Sequence, residues 1–119
     1  MKKKTAVIQI PKKGRGVVAI SKIKEGEIVI IDHLMLISPI RNNCSTIRQH
    51  VMHFDNKFDC IMLGESTLIN HSFDPNVEFL IDQSREMPMV LIRALKDIRK
   101  NTELLADYGD SYSYSWVPK

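Results

Sequence analysis

Short runs of apolar residues, separated by turn-forming residues at intervals of roughly ten positions, constrain the fold of this chain more than any other sequence feature. β-Branched and aliphatic side chains dominate most of these runs, as is typical of buried or half-buried strands. Long amphipathic helices are nearly absent from the pattern. The sequence therefore predicts a mainly β domain, with strands at residues 7–10, 17–20, 28–31, 34–37, 60–63, 77–81, 89–95 and 103–106.

A weak internal repeat supports a β domain. Residues 19–26 and 94–101 align position for position, and in both copies the pattern predicts a strand end followed by a turn. Gly26 and Asn101 occupy the same place, and glycine and asparagine are the residues that most readily adopt a positive φ. We therefore expect the two turns to share a left-handed backbone conformation, in a fold built from related β units.

One segment departs from the strand pattern. Thr46 and Gln49 form a capping box, and Ile47, Val51 and Phe54 then recur on one face of a helix. The sequence predicts a single short helix here.

Length and charge narrow the class of protein. The 119 residues suffice for one domain with a hydrophobic core, and no apolar run reaches the roughly 18–20 residues that cross a bilayer. The basic N-terminus leads into strand-like alternation rather than into the apolar core of a signal peptide. The net charge of +3 does not by itself indicate a nucleic acid partner. We expect a soluble domain without membrane association or direct nucleic acid binding.

Neither disulfides nor metals are expected. Cys44 and Cys60 are too few for a disulfide scaffold, which favours reduced thiols in a cytosolic chain. His50 and His53 have a metal-like spacing, but no further ligand follows at the spacing of a zinc site, and such a pair usually forms a polar helix face.

Three polar segments interrupt the apolar pattern. Residues 68–76 carry Asn-His-Ser-Phe-Asp-Pro-Asn between two apolar strands, residues 12–17 place two glycines one residue apart before a strand, and residues 103–110 end a strand with tyrosine and glycine. Singly, each has an ordinary explanation: an Asx turn, a Gly-x-Gly without the context of a dinucleotide site, and a half-buried tyrosine whose hydroxyl faces water. Their combination and order carry more information than each segment alone.

Together, the three segments resemble the SET-domain family of protein lysine methyltransferases, which use S-adenosylmethionine. Residues 14–19 are similar to the family's Gly-x-Gly segment, residues 68–76 to its Asn-His-Ser-x-x-Pro-Asn signature, and residues 103–109 to its Glu-Leu-x-x-Asp-Tyr-Gly strand. The correspondence runs from about residue 11 to residue 110, so we expect a single SET domain over residues 1–119 with an aromatic tail at 111–119. The length is similar to that of the minimal viral and bacterial SET proteins. The resemblance implies a β-clip-like fold of several small curved sheets, with a C-terminal pseudoknot in which the last strand passes under a loop of an earlier segment.

The resemblance also implies roles for individual residues. Tyr108 matches the family's catalytic tyrosine, and the pseudoknot would bring it beside Asn70 and His71. A basic side chain such as Lys13 or Arg15 suits the carboxylate of the cofactor. The cofactor-binding residues implied by the family are Lys13, Gly14, Arg15, Gly16, Asn70 and His71.

The aromatic tail has two interpretations. All three tyrosines and the single tryptophan lie between residues 108 and 116. Larger relatives close the lysine channel with a cysteine-rich zinc segment that is missing here, so one hypothesis is that Tyr112, Tyr114 and Trp116 line and close the channel instead. The alternative is a frayed tail whose rings patch the core.

Two features leave specificity open. The stretch at residues 63–67 stands just before the Asn-His-Ser signature and contains the acidic Glu65, whereas many minimal relatives carry an aromatic residue in this stretch. The degree of methylation and the substrate therefore stay open. The lysines at residues 2–4 and 12–13 are most simply solvated, with automethylation or contact with an acidic partner as alternatives.

The leading hypothesis is therefore an S-adenosylmethionine-dependent protein-lysine N-methyltransferase. Its substrate would be a lysine-containing protein, histones among the candidates, and S-adenosylhomocysteine would be its product. The alternative is a non-catalytic SET-fold module that binds a peptide or protein partner. A small nucleic-acid-binding β domain would instead interleave aromatic and basic residues across its strands. A homodimer is compatible with the sequence, and the expected location is cytoplasmic, or nuclear and chromatin-associated in a eukaryotic host.

Overall fold

The computed structural model describes residues 3–38, 51–84 and 86–107. The mainly β prediction is confirmed for these residues, although the two runs at 28–31 and 34–37 belong to one ten-residue strand. The strands are β1 (Thr5–Ile10), β2 (Gly14–Ala19), β3 (Ile28–Ile37), β4 (Val51–His53), β5 (Asp59–Leu63), β6 (Asn70–His71), β7 (Val77–Asp82), β8 (Met89–Ala94) and β9 (Leu105–Ala106).

In the part of the chain that the structure describes, the strands form three sheets. The largest has the order β4-β5-β3-β8-β7, and each neighbouring pair in it is antiparallel. β1 and β2 form an antiparallel hairpin, and β6 pairs with β9 in parallel. Along β8, Val90, Ile92 and Ala94 are buried and alternate with partly exposed residues, so one face of the large sheet packs onto the core.

The short helix predicted over residues 46–54 is wrong for the part that the structure describes. Val51–His53 form β4, in which Met52 lies opposite Cys60 of β5. Met52 and Phe54 are both buried in the core. Pairing and burial therefore outweigh a helical periodicity that is too short to hold a helix by itself. Residues 46–50 lie outside the described residues.

Within the described ranges, the helical element is a 3₁₀ turn at Glu65–Leu68, between β5 and β6. No helix in these ranges is long and apolar enough to span a membrane.

The internal repeat is a repeat of backbone conformation. The φ angle is 85° at Gly26 and 71° at Asn101, as the two residue types predicted. The two turns also contact each other, because Ile23 and Ile98 exchange backbone hydrogen bonds of 2.9 and 2.8 Å. Both isoleucines are buried in the core.

Each turn closes onto the strand end of the other copy. Gly26 N donates to Ala94 O at 2.8 Å, and in the equivalent contact Asn101 N donates to Ala19 O at 2.7 Å. The turn that follows β2 is thereby fixed to the end of β8, and the turn that follows β8 is fixed to the end of β2. The two β units hold each other in place.

The last described strand runs beside the loop that follows β6. Asn70 and His71 of β6 lie opposite Leu105 and Ala106 of β9. Ser72 N continues this contact beyond β6 by donating to Ala106 O at 2.9 Å.

Asn76 fastens the far end of the same loop to this strand. Its backbone N donates to Leu105 O at 3.0 Å, its side-chain Nδ2 donates to Glu103 O at 2.9 Å, and its Oδ1 accepts from Leu105 N at 2.8 Å. The residue is buried, so these bonds replace water on the backbone of the strand. The loop therefore holds the last strand at both ends, which agrees with the crossing that the resemblance implied.

Candidate active site

The three polar segments of the sequence meet at the carboxylate of Glu103. Lys13 Nζ lies 3.1 Å from Glu103 Oε1, and Asn70 Nδ2 donates to Glu103 Oε2 at 2.7 Å. Asn70 Nδ2 also lies 3.2 Å from the carbonyl oxygen of Arg15. Residues separated by up to 90 positions thus form one cluster of hydrogen bonds.

Gly16 lies where these segments approach most closely. A Cβ atom at this position would lie 2.7 Å from Ile10 Cγ1, 2.8 Å from Glu103 Oε2 and 3.0 Å from Asn70 Nδ2. A side chain would push Glu103 and Asn70 out of place, so space requires glycine at this position.

Gly14 is required for a different reason. Its φ angle is 84°, which favours glycine, and nothing lies within 4 Å of the position where a Cβ would be. The space beside Gly14 is therefore open, and a ligand can approach the backbone there. Arg15 and Lys13, on either side of this glycine, are both exposed.

Glu103 belongs to the cluster but was not among the site residues predicted from the sequence. Its side chain is 16% exposed, so its charge needs partners within the protein. Lys13 and Asn70 provide them. The signal was present in the sequence, because Glu103 begins the Glu-Leu-x-x-Asp-Tyr-Gly segment, but only the fold brings this carboxylate to Asn70.

His71 follows Asn70 on β6, and its side chain contacts residues outside the cluster. Its side chain is 34% exposed, and Nδ1 lies 3.9 Å from Asp107 Oδ1, which is longer than a direct hydrogen bond. The imidazole packs edge to face against Phe73 with ring centroids 4.6 Å apart. Phe73 itself is 87% exposed, so this pair of rings faces solvent next to β6.

The candidate catalytic and channel residues Tyr108, Tyr112, Tyr114 and Trp116 lie outside the described residues. Their roles stay predictions.

Glu65 and the N-terminal lysines form contacts within the chain. Thr5 Oγ1 donates to Glu65 Oε1 at 3.0 Å, and Lys3 pairs with the other oxygen of that carboxylate. Lys4 Nζ lies 2.6 Å from Glu27 Oε2, and this hydrogen bond lowers the pKa of Glu27. Lys3 and Lys4 are therefore paired with acidic residues of the chain rather than simply solvated.

Cys60 is not part of the cluster. Burial, with a smaller contribution from the neighbouring Asp59, raises the pKa of its thiol to about 12, so it is uncharged at neutral pH. Cys44 lies outside the described residues. Within the described ranges, no group of three or more histidine, cysteine, aspartate and glutamate side chains is placed to hold a metal ion.

The fold and the cluster together define the class of protein. A Gly-x-Gly strand, an Asn-His pair and a C-terminal strand held under the Asn-His loop meet in one place, on a scaffold of small sheets. The family model for the SET domain matches residues 14–109, and this chain belongs to the SET-domain family.

Curated relatives agree with this assignment. The chain is 32% identical over 113 residues to the N-lysine methyltransferase KMT5A of Xenopus tropicalis, and 31% identical over 113 residues to KMT5A-B of Xenopus laevis. Each alignment covers 82% of this chain and 34% of the relative, so the chain spans about a third of the length of these proteins.

Solved structures show the same fold. The chain matches a crystal structure of a candidate histone methyltransferase of Plasmodium falciparum with a TM-score of 0.80 and 25% identity, covering 94% of this chain and 98% of the other. It also matches a humanized mutant of the Chaetomium thermophilum Polycomb Repressive Complex 2 with a TM-score of 0.73 and 26% identity. That match covers 95% of this chain and 16% of the other.

Proposed function

We propose that this chain is an S-adenosylmethionine-dependent protein-lysine N-methyltransferase. The observation that supports the proposal most directly is the meeting of residues 13–16, Asn70 and Glu103 in one cluster, within a SET-domain chain. The curated relatives that the chain resembles are named N-lysine methyltransferases.

The described residues fit the chemistry of the cofactor. Gly14 leaves open space beside the backbone, and Lys13 and Arg15 bring positive charge suited to a carboxylate. The amide of Asn70 can hydrogen-bond an amino group. We propose that the residues that hold the cofactor are Lys13, Gly14, Arg15, Gly16, Asn70 and His71.

When bound, S-adenosylmethionine supplies an activated methyl group on its sulfonium sulfur. The task of the chain is then to present a lysine amine that is uncharged and aligned with that methyl group. With an ordinary pKa of about 10.4, roughly four lysine amines in ten thousand carry a free lone pair at pH 7. An apolar channel lowers this pKa because it disfavours the ammonium form, and alignment lowers the barrier further.

We propose Tyr108 as the catalytic residue. A phenol hydroxyl is a hydrogen-bond donor and acceptor that stays un-ionised at neutral pH, so it can orient the amine and stabilise developing charge. Tyr112, Tyr114 and Trp116 are the proposed lining of the lysine channel.

The proposed substrate is a lysine-containing protein, with histones as the first candidates. This choice follows the similarity to a candidate histone methyltransferase. A histone substrate would make the chain nuclear and chromatin-associated in a eukaryotic host.

Two measurements test the proposal. Saturating S-adenosylhomocysteine, at about 100 times its dissociation constant, should raise the free energy of unfolding by roughly 2.7 kcal/mol. Transfer of a radiolabelled methyl group from S-adenosylmethionine to a panel of basic proteins, histones included, tests catalysis. Stabilisation without transfer to any protein would favour a binding module, and no stabilisation would contradict the cofactor site.

Tyr108→Phe separates binding from catalysis. We expect this variant to keep the stabilisation by S-adenosylhomocysteine and to lose most methyl transfer, because only the hydroxyl is removed. Full transfer activity in the variant would remove Tyr108 from the mechanism.

A further inference from the structure

The orientation of the Asn70 side chain is fixed by the two groups that face its Nδ2 atom. One is the carbonyl oxygen of Arg15 at 3.2 Å and the other is Glu103 Oε2 at 2.7 Å. Both are hydrogen-bond acceptors, so only the NH2 half of the amide can face them. The amide oxygen Oδ1 must therefore point away from Glu103.

Glu103 is the stronger of these two partners. A bond of 2.7 Å from an amide to a carboxylate is charge-assisted, whereas the contact to Arg15 O is long. Without the carboxylate, the Asn70 amide would keep one weak partner and could turn over, which would exchange the positions of its oxygen and its NH2 group. Glu103 is therefore the group that decides which end of the amide is presented.

Glu103 is itself held at both its backbone and its side chain. Its carbonyl oxygen accepts a hydrogen bond from Asn76 Nδ2 at 2.9 Å, and its backbone lies opposite Val18 of β2 in an isolated antiparallel β-bridge. Its Oε1 is bound by Lys13 Nζ at 3.1 Å. The carboxylate is thus fixed before any ligand binds, which is the condition for it to orient a neighbour.

We propose that Glu103 is a positioning residue for the cofactor: it locks the Asn70 amide so that Oδ1 accepts a hydrogen bond from the α-ammonium group of the ligand. This inference rests on the proposed function. An amide oxygen is an acceptor for a cationic donor, whereas an overturned amide would direct its own N–H groups at the ammonium group and repel it. Lys13, besides its proposed contact with the cofactor, helps to hold the Glu103 carboxylate in place.

The test compares two ligands that differ in one group. The first is S-adenosylhomocysteine, and the second is its deaminated analogue, in which hydrogen replaces the α-amino group. Calorimetry measures the affinity of both ligands for the wild-type chain and for the Glu103→Leu and Glu103→Gln variants. Glu78→Gln serves as the matched control, because it alters a carboxylate outside the cluster: Glu78 on β7 is bound by Arg93 on β8.

We expect Glu103→Leu to lower the affinity for S-adenosylhomocysteine by about tenfold or more, and the affinity for the deaminated analogue by less than about twofold. Glu103→Gln should fall between wild type and Glu103→Leu, since its one amide oxygen must serve both Lys13 and Asn70. Glu78→Gln should leave both affinities unchanged. The Gln variant keeps the size of the side chain, so it gives the answer even if the Leu variant does not fold.

Equal losses for the two ligands would overturn the inference, because they would show a general structural role for Glu103. Unchanged affinity in both variants would overturn it as well. A wild-type chain that binds neither ligand would contradict the proposed function itself, which distinguishes the two failures.

Discussion

Removing the side chain of Asn76 should destabilise the crossing between the last described strand and the loop over it. In Asn76→Ala, Glu103 O loses its donor at 2.9 Å and Leu105 N loses its acceptor at 2.8 Å. Glu103 and Leu105 are half-buried, so each lost bond should cost about 0.5–1.5 kcal/mol and the two together roughly 1–3 kcal/mol. A loss of this size is measurable against the total stability of about 5–15 kcal/mol that is typical of native proteins.

Urea unfolding followed by circular dichroism measures this loss. The control is Gln83→Ala, which also removes an amide donor from a backbone carbonyl, here Gln83 Nε2 to Phe54 O at 2.7 Å. Gln83 forms one such bond where Asn76 forms two, so its loss should be about 0.5–1.5 kcal/mol. A loss for Asn76→Ala that does not exceed the loss for Gln83→Ala would refute the assigned role of Asn76.

Asn76→Asp examines the same contact with little change in shape. The aspartate keeps an acceptor for Leu105 N, but it places a second oxygen against Glu103 O in place of the amide donor. We expect it to be at least as destabilising as alanine at neutral pH, and less so when acid protonates the carboxyl and restores a donor.

Two further predictions follow from single residues. Nothing lies within 4 Å of a Cβ at Gly26, so Gly26→Ala should lower the free energy of unfolding only by the strain of a positive φ, about 1–2 kcal/mol. Gly26→Asn should lower it less, because Asn101 already adopts this conformation in the equivalent turn. Equal losses for the two variants in urea unfolding would contradict the equivalence of the two turns. In a Cys44→Ser background, the Cys60 thiol should react far more slowly in the native chain than in urea. Because burial raises its pKa from 9.0 to about 12, the stability that Cys60 contributes is complete below pH 9 and is lost as the pH rises toward 12, by about 1.4 kcal/mol per pH unit. A Cys60→Ala variant with the same pH dependence would exclude this cause.

The strands were predictable because burial is reflected in the local pattern of apolar side chains. One feature was not predictable: two apolar runs that the sequence separates belong to a single strand. The polar residues Asp32 and His33 separate two apolar runs in the sequence, yet both lie inside β3. The carboxylate of Asp32 accepts hydrogen bonds from Ser66 N at 3.0 Å and from Ser66 Oγ at 2.5 Å. These bonds replace water, so Asp32 can lie within a strand rather than in a solvent-exposed turn. The partner is 34 residues away, and no local pattern identifies it.

The candidate site shows the same limit. Residue types and the family resemblance indicated the Gly-x-Gly segment and the Asn-His pair, whereas the importance of Asn76 and Glu103 depends on hydrogen bonds between distant segments. The predicted helix was wrong over Val51–His53 for a related reason, since pairing with β5 is a long-range contact that outweighs local periodicity.

The internal repeat combines a feature that the sequence predicts, the backbone conformation of its turns, with one that it does not predict, the tertiary contacts of those turns. A positive φ at Gly26 and Asn101 follows from residue type alone, but the closure of each turn onto the other copy is a choice of tertiary partner. This choice also builds the site, because the turn after β8 leads directly into Glu103. Ala19 N donates to Thr102 O at 2.9 Å and Leu104 N donates to Val17 O at 2.7 Å, so the backbone on both sides of Glu103 is bonded to β2. The exchanged turns therefore set the position of the Glu103 carboxylate beside Gly16, and they contribute to the geometry of the site as well as to stability.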